Sequence, residues 1–82
     1  MEESRIAVVG IIIEDFEASE RVNAILHDFG SYVVGRMGLP YREKGISVIS
    51  IVIDAPTPVI NSLTGKLGMV KGVSAKALYS SK

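Results

Sequence analysis

No cysteine occurs among the 82 residues. Its absence excludes disulfides, thiolate-bound zinc, iron–sulfur clusters and a thiol nucleophile together. Net charge is missing too, since nine basic residues balance nine acidic ones. Proteins that grip nucleic-acid phosphates carry an excess of lysine and arginine, so direct DNA or RNA binding by this chain is not expected. Long hydrophobic runs are also lacking. The apolar stretch at residues 6–13 falls far short of the roughly 20 residues a membrane helix needs. The opening "MEESRIAVVG" carries acids before that run and shows no small-residue cleavage site after it. A soluble, cytoplasmic protein with no membrane association is the expectation.

What the chain does have is a hydrophobic fraction of 48%, which belongs to a folded domain and not to a disordered segment. A chain of this length supports one small core, so a single domain over residues 1–82 is expected. Internal repetition then shows the plan. "IAVVGIIIED" at residues 6–15 matches "ISVISIVIDA" at residues 46–55 over its first nine columns, with Glu14 above Asp54. Each run is rich in β-branched residues and ends in an acid, as a strand feeding a turn does.

A helical pattern follows each strand. Val22, Ile25, Leu26 and Phe29 recur at i, i+3, i+4 and i+7 and form one apolar stripe. Asp15 is placed to cap this helix, Glu17 suits its positive end, and Gly30 suits a left-handed stop. In the second half Thr57 is the expected cap, with Pro58 at the first helical position and Ile60, Leu63 and Leu67 as the stripe. Gly68 or Gly72 closes that segment. One more strand-like run follows each helix, at residues 31–39 and 72–80. Two βαβ units interleave into an α+β, ferredoxin-like βαββαβ sandwich: a four-stranded antiparallel sheet with two helices on one face.

Helices on one face leave the other uncovered, yet the first and third strands are aliphatic on both. Ile6, Val8 and Ile12 align with Val48 and Val52; Ala7, Val9, Ile11 and Ile13 align with Ile49, Ile51 and Ile53. Whichever set faces away from the helices forms a patch larger than monomers usually leave open, roughly 300–600 Å² at most. Self-association into a homodimer or higher oligomer is therefore expected.

The fold does not fix the function. RNA-recognition domains of this topology stack bases on aromatics of the central strands, and these strands carry none. Acylphosphatase-like chemistry wants a basic cradle after the first strand, where this chain has Glu14 and Asp15. His27 lies opposite the apolar stripe, lacks an evident nucleophile partner, and reads as a surface residue. "TGKLG" at residues 64–68 resembles a phosphate loop faintly, but it follows a helical stripe and Lys66 precedes Leu67. A helix C-terminus explains it better. No nucleophile–base pair, metal-ligand set or cofactor fingerprint can be assembled, so neither an enzyme, a metal site nor a cofactor is expected.

"VVGRMGLPYREKG" at residues 33–45 is the most unusual stretch. Its plain reading is the connection between the second and third strands, with Pro40 ending the pairing and Gly45 restarting it. Gly35 and Gly38, however, lie where glycine weakens a strand unless a bulge or a close backbone approach needs it. Arg36 offers a guanidinium fork to a carboxylate or phosphate, and Tyr41 and Arg42 can complete a polar wall. Alternatively, the glycines admit a neighbouring subunit and Arg36 pairs with an acid such as Glu14. Glu14 and Asp15 are themselves candidate ligand carboxylates, although helix capping also accounts for them. Gly35, Arg36, Gly38, Tyr41, Arg42, Glu14 and Asp15 are thus the candidate ligand-binding set.

"RIAVVGIIIED", "VNAILHDFG", "VVGRMGLPYREKGISVISIVID" and "LTGKLGMVKGVSAKA", in that order and spacing, resemble the small ACT-like proteins described as candidate regulators of the iron-only hydrogenase system. More distantly the chain is similar to the C-terminal sensing domain of the nickel-responsive repressor. The resemblance implies regulation and not catalysis, with a small effector, often an amino acid, bound at a subunit interface. The repressor's metal site uses histidines and a cysteine, so nickel sensing is not carried over. Only "MEES" precedes the first strand, so a transcriptional role implies a regulatory or DNA-binding partner protein. The alternative is an effector-free module that docks onto regulatory or maturation partners.

Overall fold

The structure, a computed structural model, describes residues 3–81. Strand β1 (Ser4–Ile13) leads through a short 3-10 turn into helix α1 (Ser19–Asp28); β2 (Val33–Tyr41) and β3 (Ile46–Pro56) follow, then α2 (Thr57–Gly68) and β4 (Val73–Tyr79). The sheet order is β2-β3-β1-β4, and each neighbouring pair is antiparallel. This is the ferredoxin-like α+β plan read from the repeat. The repeated runs occupy the two central positions, and each helix carries the chain past one strand to the next parallel one.

Strand periodicity divides the sheet cleanly. Ala7, Val9, Ile11 and Ile13 of β1 and Ile49, Ile51, Ile53 and Ala55 of β3 are buried with Val22, Ile25, Leu26 and Phe29 of the first helical stripe and Ile60, Leu63 and Leu67 of α2. Both helices therefore cover one face. The register pairs Val8 with Val52 and Ile12 with Val48, so the other aliphatic set lies on the uncovered side.

The helix ends differ from expectation in three places. Asp15 caps the 3-10 turn ahead of α1, its Oδ1 accepting from the Glu17 N–H at 3.0 Å, and α1 starts only at Ser19. Gly30 is no left-handed stop. Phe29 is drawn into the core at 8% exposure, and the chain tightens into a 3-10 turn over Gly30–Tyr32. The Phe29 N–H donates to the Leu26 carbonyl and the Tyr32 N–H to that of Phe29, which satisfies the helix end without a left-handed residue. Thr57 does not cap α2. Strand β3 runs straight into the helix, Pro56 takes the cap position without a side-chain bond, and Thr57 is already helical.

The β2–β3 connection also departs from its plain reading. Pro40 does not end pairing: it stands opposite Ser47, and Tyr41 opposite Ile46. Strand β2 is an edge strand, where a missing N–H can point away from the ladder. The turn itself is Arg42–Lys44, closed by Gly45 at φ 67. Residues 64–68 form the last turn and more of α2, as the helix-end reading required. The Lys66 ammonium sits 5.3 Å from the Phe29 ring centroid and ties the two helices together at their ends.

Candidate functional site

Strand alternation decides where the candidate residues go. Arg36 stands opposite Ile51 and Gly38 opposite Ile49, so both lie on the helix-covered face. Gly35 opposes Val52 and Tyr41 opposes Ile46, which puts them on the uncovered face. Glu14 and Asp15 follow β1 at the end of the sheet where Ile13 meets Ser47, and Arg42 follows β2 at that same end. There Phe16, Pro40, Arg42 and Ser47 line an open hollow of about 500 Å³. The seven candidates thus occupy both faces and one end of the sheet, and of them Arg42 alone lines this hollow.

Gly35 marks a β-bulge, the register shifting between Val33 and Gly35. The extra residue, Val34, is solvent-exposed, while Val33 swings to face Ile53 and packs against the core. A Cβ at Gly35 or Gly38 would meet nothing within 4 Å. The intrachain reason for Gly35 is therefore the bulge, and no close approach among the described residues accounts for Gly38.

Arg36 lies beside α1. Its Nη2 donates to Oδ1 of Asn23, and the two flank a cleft of about 340 Å³ lined also by Leu26, His27, Gly30, Val33 and Ile51. Asn23 and His27 are four residues apart and share one face of α1. His27 is exposed, as its position opposite the apolar stripe requires, yet it borders this cleft. Asn23 did not stand out in the sequence and Gly30 was read there only as a helix stop; the available signal was the i, i+4 pairing of Asn23 with the sole histidine.

At the end of β1 one backbone bond and one carboxylate hold the turn. The Glu14 N–H donates to the Gly72 carbonyl at 2.7 Å, and the Asp15 carboxylate holds the 3-10 turn. Among the described residues no group of three or more His, Cys, Asp or Glu side chains is placed to hold a metal ion. No helix among them is long and apolar enough to cross a membrane.

Three rows on the uncovered face cross all four strands. Leu39, Val48, Ile12 and Ser74 make one; Met37, Ser50, Gly10 and Lys76 the next; Gly35, Val52, Val8 and Leu78 the third. Leu78 is 74% exposed, Met37 67% and Leu39 58%. Gly10 lies at the middle, and with Ile12, Val48, Ser50, Ser74 and Lys76 it forms a shallow apolar trough between the raised edges.

The βαββαβ sandwich, with both helices on one face of its sheet, is a ferredoxin-like α+β domain, consistent with the ACT-like fold. The family model named TM1266-like, "Iron-only hydrogenase system regulator, putative", matches residues 5–77, and the chain belongs to that family. Among solved structures it is similar to the uncharacterized protein TM1266 from Thermotoga maritima, with 36% identity, a TM-score of 0.89, and coverage of 94% of this chain and 98% of that one. A formyltetrahydrofolate deformylase from Pseudomonas putida KT2440 shares the fold at 13% identity and TM-score 0.64, over 89% of this chain and 28% of its own. The divalent ion tolerance protein CutA1 from Ehrlichia chaffeensis does so at 12% identity and TM-score 0.50, over 100% and 85%. No curated protein matches significantly.

Proposed function

We propose that the chain is a non-enzymatic regulator that acts as a homo-oligomer, joined through the uncovered face of its sheet, and that a small effector shifts this assembly. Membership of a family described as regulators supports the regulatory role. The observation that carries the oligomer is the uncovered face. Ile6, Val8 and Ile12 on the central strand are between 37% and 43% exposed, and Met37, Leu39 and Leu78 rise beside them on both edges. Water contact with the aliphatic rows on either side of the Ser50–Gly10–Lys76 row is unfavourable by roughly 25 cal/mol per Å². A second copy relieves it, with raised edges meeting the trough along Gly10. An effector regulates such a system only if it binds one assembly state better than another.

The test is analytical ultracentrifugation of the wild type and of Val8→Lys. The wild type is expected to be dimeric or larger at micromolar concentration, and the variant, with a charge in the middle of the face, to be a folded monomer. A wild type that stays monomeric at high concentration overturns the proposal. The rival reading, an effector-free module that docks a regulatory or maturation partner on the same face, is favoured by such a monomer.

A further inference from the structure

We infer that the cleft between α1 and β2 is a binding site for a small organic carboxylate, one with an apolar body and no ammonium group. Its floor is partly hydrocarbon: Val33, half-buried and turned into place by the bulge, lies over the buried Leu26 and Ile51. Its rim consists of donors. Arg36 has five N–H groups, and only the Nη2 bond to Asn23 is made within the described chain. That bond fixes the guanidinium at the mouth and uses the Asn23 carbonyl oxygen, leaving the Asn23 amide N–H groups free to donate. His27, one helical turn on, adds a ring N–H. Gly30 closes the corner, where a Cβ would meet nothing within 4 Å, so the mouth stays open. At about 340 Å³ the volume suits a small ligand.

The chemistry of the lining selects the ligand. No carboxylate lines the cleft, and Asn23 Oδ1 is already engaged, so an ammonium group would find no strong acceptor. A free amino acid therefore fits poorly. A planar carboxylate matches the guanidinium fork and needs one cation. Phosphate would bring more charge than one arginine balances, and it would leave the hydrocarbon floor unused. Glu20 lies one turn before Asn23 on the same helix face but does not line the cleft.

This deepens the effector reading above by naming the ligand class, but it does not need the oligomer, because every lining residue belongs to one chain and the helix-covered side. The experiment is an NMR titration of uniformly labelled protein with sodium benzoate, benzylamine and inorganic phosphate as probes. Benzoate should give saturable shifts concentrated at Asn23, His27, Gly30 and Arg36. Arg36→Gln should weaken it about ten-fold or more, the loss expected for a charge-assisted pair. Gly30→Leu, which fills the mouth, should abolish it while the remaining spectrum shows an intact fold. The Val8→Lys protein should still bind.

Absence of saturable benzoate shifts at the cleft overturns the inference. So does unchanged affinity in Arg36→Gln, equal binding of benzylamine, or phosphate binding as tight as benzoate. Loss of binding in Val8→Lys would place the ligand between subunits and overturn the self-contained cleft while sparing the oligomer. A monomeric wild type that binds benzoate would do the reverse.

Discussion

Replacing Gly72 with alanine puts a methyl group where Asp15 already stands. A Cβ at Gly72 would lie 2.7 Å from the Asp15 Cβ and 3.4 Å from its backbone nitrogen, and the residue has φ 80. Two penalties follow. Holding a non-glycine residue at positive φ costs roughly 1–2 kcal/mol. Carbon atoms prefer about 3.5–4.0 Å, so the two segments must also part by about 1 Å. They are tied by the Glu14 N–H to Gly72 carbonyl bond of 2.7 Å, and stretching it adds about 1 kcal/mol. The expected loss is about 2–3 kcal/mol. Gly45→Ala isolates the first penalty, because Gly45 has φ 67 but nothing within 4 Å of its Cβ; it should lose about 1 kcal/mol. Urea unfolding followed by circular dichroism, at one fixed protomer concentration, measures both. Asp15→Gly in the Gly72→Ala background removes the colliding Cβ and should recover part of the difference. Equal losses for Gly72→Ala and Gly45→Ala would refute the reasoning.

Leu63→Ala empties a site with 0% exposure and should cost about 2–5 kcal/mol in the same unfolding assay. Leu78→Ala should change unfolding of the Val8→Lys monomer by no more than about 0.5 kcal/mol, since Leu78 is 74% exposed; in the wild type it should weaken self-association, read by sedimentation. Lys66→Gln removes the cation above the Phe29 ring and should cost about 0.5–1 kcal/mol, again by urea unfolding.

The parts of the fold that depend on local pattern were legible. The paired runs at residues 6–15 and 46–55 announced two equivalent central strands, and the stripes through Leu26 and Leu63 announced which helix faces are buried. The expectation at Pro40 failed because a proline stops pairing only where its missing N–H is needed, and only the strand order reveals that β2 is an edge. Thr57 failed because β3 passes into α2 without a loop, which moves the helix start by a residue. The candidate site was legible in part. Arg36 stood out, but its neighbours Asn23 and His27 lie on another element, and nothing in their own segment says which strand will lie beside them. The scatter of Gly35, Arg36, Gly38 and Tyr41 over two faces follows from strand alternation, once the register with β3 is known.

That alternation gives strand β2 a particular place in the proposed regulation. Arg36 reaches the cleft on one side of the sheet, while Met37, the next residue, stands among the rows of the uncovered face on the other. A change in backbone position at Arg36 is therefore felt at Met37 with no relay through the core. As an edge strand, β2 pairs in the sheet with β3 alone, and its bulge already departs from regular pairing, so it is less restrained against such a shift than the two central strands. If a carboxylate in the cleft moves the assembly equilibrium by some factor, assembly must change carboxylate affinity by the same factor. The comparison of benzoate affinity in the wild type and in Val8→Lys then measures the coupling directly. Equal affinities would mean that the cleft and the open face, though separated by one peptide unit, do not communicate.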